Sequence, residues 1–221
     1  MTITGGQKTL RQIPTPRACL PTQSKGLGMI EVLVTLFILS VGLLGVASLQ
    51  FIGSFANADA LSRTQSVLVA QQMSERLRAS ALTSTVGDGM VVHNNYFDSD
   101  LYNFETLSCV SGTQPYDCFC QQHPAAVPNC QNNSCSAAQF AAFDAYEMSC
   151  AAVNTNPNIT LELSCADNNL ADTDVCSVGS RHRIILAWPV ESWQGNTRAL
   201  NPECNANRVG EHDCVIVEVT L

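Results

Sequence analysis

The sequence predicts an α+β fold in which one long N-terminal helix packs on a small antiparallel sheet. An uncharged apolar run at residues 32–49 continues into a stretch with helical periodicity that extends to residue 82. Three short segments near the C-terminus alternate in polarity or are rich in branched residues, as strands are. Ten cysteines lie beyond residue 108, which predicts a disulfide-rich domain.

The apolar run is long enough to cross a bilayer. It has 18 residues without a charge, and as a helix it would span roughly 27 Å. It contains three polar residues, Thr35, Ser40 and Ser48. Each hydroxyl is expected to donate a hydrogen bond to the backbone carbonyl one turn earlier, so that no hydroxyl lacks a partner in lipid. Glu31 stands at the edge of the run, where a carboxylate is costly and indicates either a function or the membrane boundary.

The segment before the run is basic. It contains no acid and four basic residues, Lys8, Arg11, Arg17 and Lys25, which favours a cytoplasmic location. Bulky residues after the run disfavour a signal-peptide cut there. A cut after Gly26 would create a new amine at Leu27, four residues from Glu31. The amine and the carboxylate could then compensate each other on one helix face or between subunits.

These residues carry a family resemblance. Gly26, a hydrophobic residue after it, Glu31 five residues later and the apolar run resemble the class III signal of type IV pilins and pseudopilins. Residues 28–34 and 40–45 are most similar to minor pilins of the PilV type, the type IV pilus modification proteins. The resemblance implies a type IV pilin-like fold, cleavage after Gly26 by prepilin peptidase, N-methylation of Leu27 and use of Glu31 in docking. Leu27 stands where Phe is commoner, and Cys19 in the leader is unexplained.

The implied organisation is a leader peptide at 1–26, a transmembrane half of the helix at 27–52, an exported half at 53–82 and a disulfide-rich globular domain at 83–221. Cleavage would leave 7 of the 11 basic residues and all 19 acids, a formal charge of −12, with no lysine. Because phosphate contacts supply most non-specific affinity for nucleic acid, no direct nucleic-acid partner is expected.

In the exported half, one apolar face is expected to pack on the globular domain; it comprises Val67, Ala70, Met73, Leu77 and Ala81.

Residues 83–107 are rich in Gly, Asn, Asp and Ser, which predicts a long loop with one short strand at most. A second helix is predicted at 136–153, with an apolar stripe at Phe140, Phe143 and Tyr146. Strands are predicted at 159–164, 183–189 and 214–220. Residues 143–147 and the strand segment that includes Trp188 again resemble PilV-type minor pilins.

The cysteines indicate five disulfides, because their number is even and an exported domain meets an oxidising compartment. The spacing does not fix the pairing. The candidates are Cys109, Cys118, Cys120, Cys130, Cys135, Cys150, Cys165, Cys176, Cys204 and Cys214. The alternative is a zinc site at Cys118, Cys120 and His123, completed by Cys130 or Cys135. The Cys-x-Cys spacing and export both disfavour it, so no metal and no cofactor is expected.

Two acidic loops are candidate calcium sites. One contains Asp88, Asp98 and Asp100, and the other contains Asp167, Asp172 and Asp174 between Cys165 and Cys176. Solvated loops are favoured because the calcium-loop pattern is incomplete.

No catalytic constellation stands out. The four histidines, His93, His123, His182 and His212, are scattered, and no Ser or Cys lies in a nucleophile-elbow context. The chain is therefore not expected to be an enzyme.

The sequence thus predicts a minor pilin that takes part in assembly or priming of a type IV pilus. The fibre tip is a candidate position for this subunit. The expected partners are prepilin peptidase, other minor pilins and the major pilin. The chain is expected in the inner membrane with its N-terminus in the cytoplasm, and then in the surface pilus. The alternatives are a minor pseudopilin of a type II secretion system, a membrane-anchored cysteine-rich adhesin and an anchored metalloenzyme.

Overall fold

The computed structural model describes residues 26, 28–110, 112–190, 199–206 and 208–221. Helix α1 runs from Met29 to Ala79 and helix α2 from Ala137 to Thr155. Strands β1 (Leu82–Thr83) and β2 (Met90–Val91) form a two-stranded sheet. Strands β3 (Thr160–Ala166), β4 (Arg181–Pro189) and β5 (His212–Thr220) form a three-stranded antiparallel sheet in that order. The fold is therefore α+β, with a long N-terminal helix and small antiparallel sheets.

The chain divides into two units between Phe51 and Ile52, and each is described by itself. In the first unit, every side chain of α1 from Met29 to Phe51 is exposed. An 18-residue window of α1 has a mean hydropathy of 2.5, and none of it is buried. The described residues thus include one helix, α1, that is long and apolar enough to span a membrane.

In the second unit, α1 contributes a buried face to the main core. The face comprises Ser66, Val69, Ala70, Met73, Ser74 and Leu77. This confirms Ala70, Met73 and Leu77 as core residues, whereas Val67 is only partly buried. The helix ends at Ala79, three residues before the predicted end, because Leu82 and Thr83 leave it to pair with β2.

The three-stranded sheet packs one face on the two helices. Alternate residues supply that face, as the strand period requires; they include Leu161, Leu163, Ile184, Leu186, Trp188, Val215 and Val219. The opposite face forms a smaller cluster, in which Ile185, Ala187 and Cys214 of the sheet pack with Cys204 of the short 3-10 turn at Pro202–Asn205. All three predicted strands are confirmed, with ends that differ by one or two residues.

Helix α2 begins with a capping box. Ser136 Oγ accepts from the Gln139 backbone N–H, and the Gln139 side chain accepts from the Ser136 N–H. The predicted apolar stripe is correct for Phe143 and Tyr146, which are buried, and wrong for Phe140, which is 38% exposed. Small residues, Ala141, Ala145 and Ala152, occupy much of the buried face instead.

Residues 83–107 are mostly irregular, as predicted, and contain one complete short strand, β2. They also hold Thr83 of β1, 3-10 turns at Asn94–Phe97 and Ser99–Leu101, and core residues, which the prediction did not include. Tyr96 and Tyr102 are each 1% exposed. This segment is therefore part of the packed domain.

Candidate functional site

Of the predicted processing and docking residues, Glu31 lies in the first turn of α1 and Gly26 precedes the helix. Gly26 and Glu31 are both exposed, while Leu27 lies outside the described residues. The Gly28 carbonyl accepts hydrogen bonds from the backbone N–H groups of Glu31 at 2.9 Å and Val32 at 3.3 Å. Glu31 therefore occupies the first turn of the helix, where a negative charge interacts favourably with the helix dipole.

The polar residues of the apolar run satisfy themselves within the helix. The hydroxyls of Thr35, Ser40 and Ser48 donate to carbonyls three or four residues earlier, at 2.9, 2.7 and 3.0 Å. This confirms the expected bonding pattern and leaves these hydroxyls compatible with an apolar surrounding.

Two glycines in the run are not required by contacts within the chain. A Cβ added at Gly42 or Gly45 would meet no atom within 4 Å, apart from the helix's own nearby backbone. Each costs α1 about 1 kcal/mol relative to alanine. Whatever favours glycine here is thus not a contact among the described residues.

A buried charged cluster joins α1, α2 and the segment between them. Arg76 Nη1 donates to Asp144 Oδ1 at 2.5 Å, and the Tyr96 hydroxyl donates to Asp144 Oδ2 at 2.6 Å. The Tyr102 hydroxyl in turn donates to the Tyr96 carbonyl at 2.7 Å. Both oxygens of a carboxylate that is only 8% exposed are therefore occupied.

Burial sets the ionisation of the tyrosines in this cluster. Burial and then the hydrogen bond to Asp144 raise the pKa of Tyr96 above its usual range. Burial likewise raises the pKa of Tyr102. Both hydroxyls thus remain protonated donors at any physiological pH, which suits a structural network.

A second ion pair ties α1 to the sheet. Arg63 Nη2 lies 2.7 Å from Asp213 Oδ2, and Asp213 sits on β5 with its side chain 7% exposed. Arg63 and Arg76 are thirteen residues apart, or about 20 Å along the helix. Two ion pairs, at two positions along the helix axis, therefore attach the second half of α1 to the rest of the domain.

The ten cysteines beyond residue 108 are all paired. The disulfides are Cys109–Cys118, Cys120–Cys150, Cys130–Cys135, Cys165–Cys176 and Cys204–Cys214. This agrees with the five bridges expected; Cys19 lies outside the described residues.

The pairing contradicts the zinc alternative. Cys118, Cys120, Cys130 and Cys135 are consumed in disulfides, so they have no thiolate to offer a metal. His123 Nε2 lies 3.0 Å from the Val127 carbonyl oxygen. Its ring also meets the Tyr146 ring edge-on, with centroids 5.0 Å apart. His123 is thus part of an aromatic cluster.

The acidic loop between Cys165 and Cys176 is organised by its own hydrogen bonds. Asp167 Oδ1 accepts from the Ser177 N–H and the Ser180 hydroxyl, each at 3.0 Å. The bonds to Ser177 are the main reason that the pKa of Asp167 falls to about 2. Asp172 accepts from the Asp174 N–H and the Asn169 side chain. The carboxylates of Asp167 and Asp172 thus accept hydrogen bonds from donors of the protein itself.

The other acidic segment behaves similarly at Asp98, whose Oδ1 accepts from the Asp100 N–H at 3.1 Å. Asp88 and Asp100 are exposed. In the described part of the chain, no group of three or more His, Cys, Asp or Glu residues is arranged to hold a metal ion.

The structure does not bring the four histidines together at one described site. His182 is 2% exposed, and its Nδ1 lies 3.3 Å from the Val219 carbonyl oxygen. Its Nε2 is buried and has no hydrogen-bond partner among the described residues. Burial lowers the pKa of His182.

The sequence did not point to the Asp144 cluster or to Asn103. Asp144 lies in the segment 143–147 that the family resemblance includes, but the resemblance gave it no role; an acid that interrupts an otherwise apolar helix face is the signal that could have marked it. Asn103 pairs its side-chain amide with the backbone of Leu161 on β3. No local pattern marks that contact, because the two residues are 58 positions apart.

Comparisons of the chain with known protein families, with curated proteins and with solved structures find no match.

Proposed function

We propose that this chain is a minor pilin subunit that takes part in assembling or priming a type IV pilus. Prepilin peptidase removes the leader after Gly26, and the new amine at Leu27 is methylated. The subunit waits in the inner membrane and then joins other minor pilins and the major pilin in the surface fibre. Its role is assembly rather than catalysis.

The observation that carries the proposal is the position of Glu31. Its exposed carboxylate lies in the first turn of α1, five residues after Gly26 and directly before the exposed uncharged run at 32–49. A carboxylate at the edge of an apolar span is costly unless another group compensates it. In the proposal, the new amine of a neighbouring subunit pairs with Glu31 and thereby selects helices that are in register.

The helix surface supports the same proposal. All described side chains from Met29 to Phe51 are exposed, so they must be covered by lipid or by other helices. Gly42 and Gly45 leave space at the helix surface, and small residues let neighbouring helices approach closely in a membrane.

The second unit suits a subunit that works outside the cell. Five disulfides constrain its unfolded chain, and each typically contributes about 2 to 4 kcal/mol. The ion pairs of Arg63 and Arg76 connect α1 to this domain. A load applied along the helix would thus reach the domain through charged contacts and through the core.

Replacement of Glu31 tests the docking role. We expect Glu31→Ala and Glu31→Gln to be cleaved and retained in the membrane but lost from sheared filaments, with partial recovery in Glu31→Asp. Glu211→Ala is the matched control, because Glu211 is also an exposed acid. Equal filament content of Glu31→Ala and the control would overturn the proposed docking role.

A further inference from the structure

One edge of the three-stranded sheet is only partly closed. The Asn103 side chain donates to the Leu161 carbonyl at 2.9 Å and accepts from the Leu161 N–H at 2.8 Å. The amide thus takes the place of a neighbouring strand at one residue of β3. Because alternate residues of a strand direct their backbone groups to the same edge, Leu163 and Cys165 also point away from β4. In the described part of the chain, neither has a backbone hydrogen bond on that side.

The amide of Asn103 is held rigidly at the end of this open edge. Asn103 and Phe104 have positive φ angles of 52° and 64°, which are uncommon for residues other than glycine. The Asn103 N–H donates to Ser149 Oγ at 3.0 Å, which ties the turn to α2. The Asn103 side chain pairs with Leu161 alone. At the next two outward positions, Leu163 is buried and Cys165 is half-buried, and the backbone of each lacks such a partner among the described residues.

A groove of about 640 Å³ runs along this edge. The strand forms one wall, from Thr160 to Cys165, and residues between Phe97 and Glu105 form the other. The groove is therefore beside the backbone groups that remain unpaired.

The free charges in the groove are negative. Asp100 and Glu105 line it, are exposed, and form no ion pair with another described residue. Arg208 is the one described cation in its lining, and it is engaged by Glu162 at 3.0 Å and by the Thr160 hydroxyl. A ligand that enters the groove thus meets two carboxylates without counter-charges.

The chain itself has little positive charge to offer. Lysine is absent after residue 25. The described arginines all pair with carboxylates; they are Arg63, Arg76, Arg78, Arg181, Arg183 and Arg208. Two copies that paired edge to edge would bring the same carboxylates together, which is unfavourable. No cation among the described residues is therefore free to complement the groove, which favours a different polypeptide as the source of the positive charge.

We propose that the open edge of β3 binds an extended, basic segment of another protein by strand addition. The segment pairs its backbone with Leu163 and Cys165, and its Lys or Arg side chains meet Asp100 and Glu105. Main-chain hydrogen bonds supply the register and the charges supply the choice of partner. The choice of occupant rests on the proposed function in one respect, because removal of the leader takes away four of the chain's own basic residues.

The test uses the full chain in detergent and a short peptide of alternating lysine and valine. We expect binding, with the amides of Leu163 and Cys165 protected from hydrogen exchange when the peptide is present. The double variant Asp100→Asn/Glu105→Gln should bind about tenfold more weakly, as expected for the loss of two exposed charge pairs. The matched control is Asp88→Asn/Glu211→Gln, which removes the same charge at other exposed sites and should bind as the unchanged chain does.

Several results would overturn the proposal. They are an absence of peptide binding, unchanged exchange at Leu163 and Cys165, or equal weakening in both double variants, which would indicate general electrostatic attraction. Equal binding of a peptide with an N-methyl group on every amide would exclude strand addition, because neither edge of that peptide could donate to β3. Dimers in light scattering, with Leu163 already protected without peptide, would identify a second copy as the occupant instead.

Discussion

The Tyr96 hydroxyl donates a 2.6 Å hydrogen bond to Asp144 Oδ2, while Arg76 occupies the other oxygen of the same carboxylate. One buried acid therefore connects α1, α2 and the segment between them. Such an acid contributes to stability only while its partners are in place, because an unpaired buried charge is costly.

Removal of the Asp144 charge should destabilise the domain. In Asp144→Asn, Arg76 loses the nearer of its two anions and keeps Glu147 at 3.9 Å, while Tyr96 loses a charged acceptor. We expect the free energy of unfolding to fall by about 2 to 3 kcal/mol, somewhat less than for a fully buried pair because Arg76 is 34% exposed. Urea unfolding of the full chain in detergent, followed by near-UV circular dichroism, measures this.

Glu75→Gln is the control for that variant. It breaks the exposed pair with Arg78, which should change the free energy of unfolding by under about 0.5 kcal/mol. If the two variants have the same stability, the Asp144 cluster does not hold the helices together as described.

The buried His182 should make the domain less stable in mild acid. Because burial lowers its pKa from the ordinary value of 6.5, the unfolded chain binds a proton here more readily than the folded protein. The stability contributed by neutral His182 is complete above about pH 6.5 and is lost as the pH falls towards the folded-state pKa. The free energy of unfolding should therefore decrease between about pH 7 and about pH 5.

His182→Phe separates this effect from other titrations. It keeps an aromatic ring beside Phe97, whose centroid lies 5.7 Å from that of His182, and should flatten the pH dependence. His212→Gln, a change at a half-buried histidine, should retain it. An unchanged slope in His182→Phe would rule out His182 as its source.

The disulfides should differ in their contributions according to the chain they enclose. Cys120–Cys150 spans 30 residues and Cys130–Cys135 spans 5. Loop-closure entropy predicts losses of about 3.5 and about 2 kcal/mol when each pair is replaced by serines. Unfolding of the two double-serine variants, with the other bridges intact by mass, tests the order. A larger loss for the short pair would contradict the entropic account.

Gly26 should be essential for maturation. We expect Gly26→Leu to accumulate as an uncut precursor, because the proposed peptidase site requires a small residue before Leu27. Gly28→Ala is the control, since a Cβ there meets only Ile30 Cγ2, at 3.8 Å. The size of the chain in membranes distinguishes the two. Normal maturation of Gly26→Leu would remove the prepilin assignment.

The regular elements were predictable because their signals are local. The uncharged run and the alternating strands bury or expose residues with a fixed period. The capping box of α2 is also encoded within four residues, Ser136 to Gln139. These features therefore appear in the structure within a few residues of the predicted positions.

The burial of residues within 83–107 is not predictable from the sequence, because it depends on distant partners. Tyr96 and Tyr102 are surrounded by Asn, Asp and Ser, which favour turns. The Tyr96 hydroxyl bonds to Asp144, 48 residues away in the chain, and the Tyr102 hydroxyl bonds to the Tyr96 carbonyl. Phe140 was misplaced for a related reason: small alanines on α2 allow close packing, and that leaves the phenylalanine outside.

The disulfide partners could not be derived from spacing, because ten cysteines permit many connectivities. The role of Asn103 was equally hidden, since its amide serves a strand far along the sequence. Sequence patterns thus gave the elements, while the contacts that lock them together emerged only from the fold.

The central claim is tested most directly by the intact mass of the unreduced protein from membranes of cells with and without prepilin peptidase. With the peptidase, we predict a chain that begins at methylated Leu27 and is about ten hydrogens lighter than its reduced form. Without it, the leader should remain. A chain that begins at Met1 in both strains would contradict the pilin assignment and leave an ordinary membrane anchor.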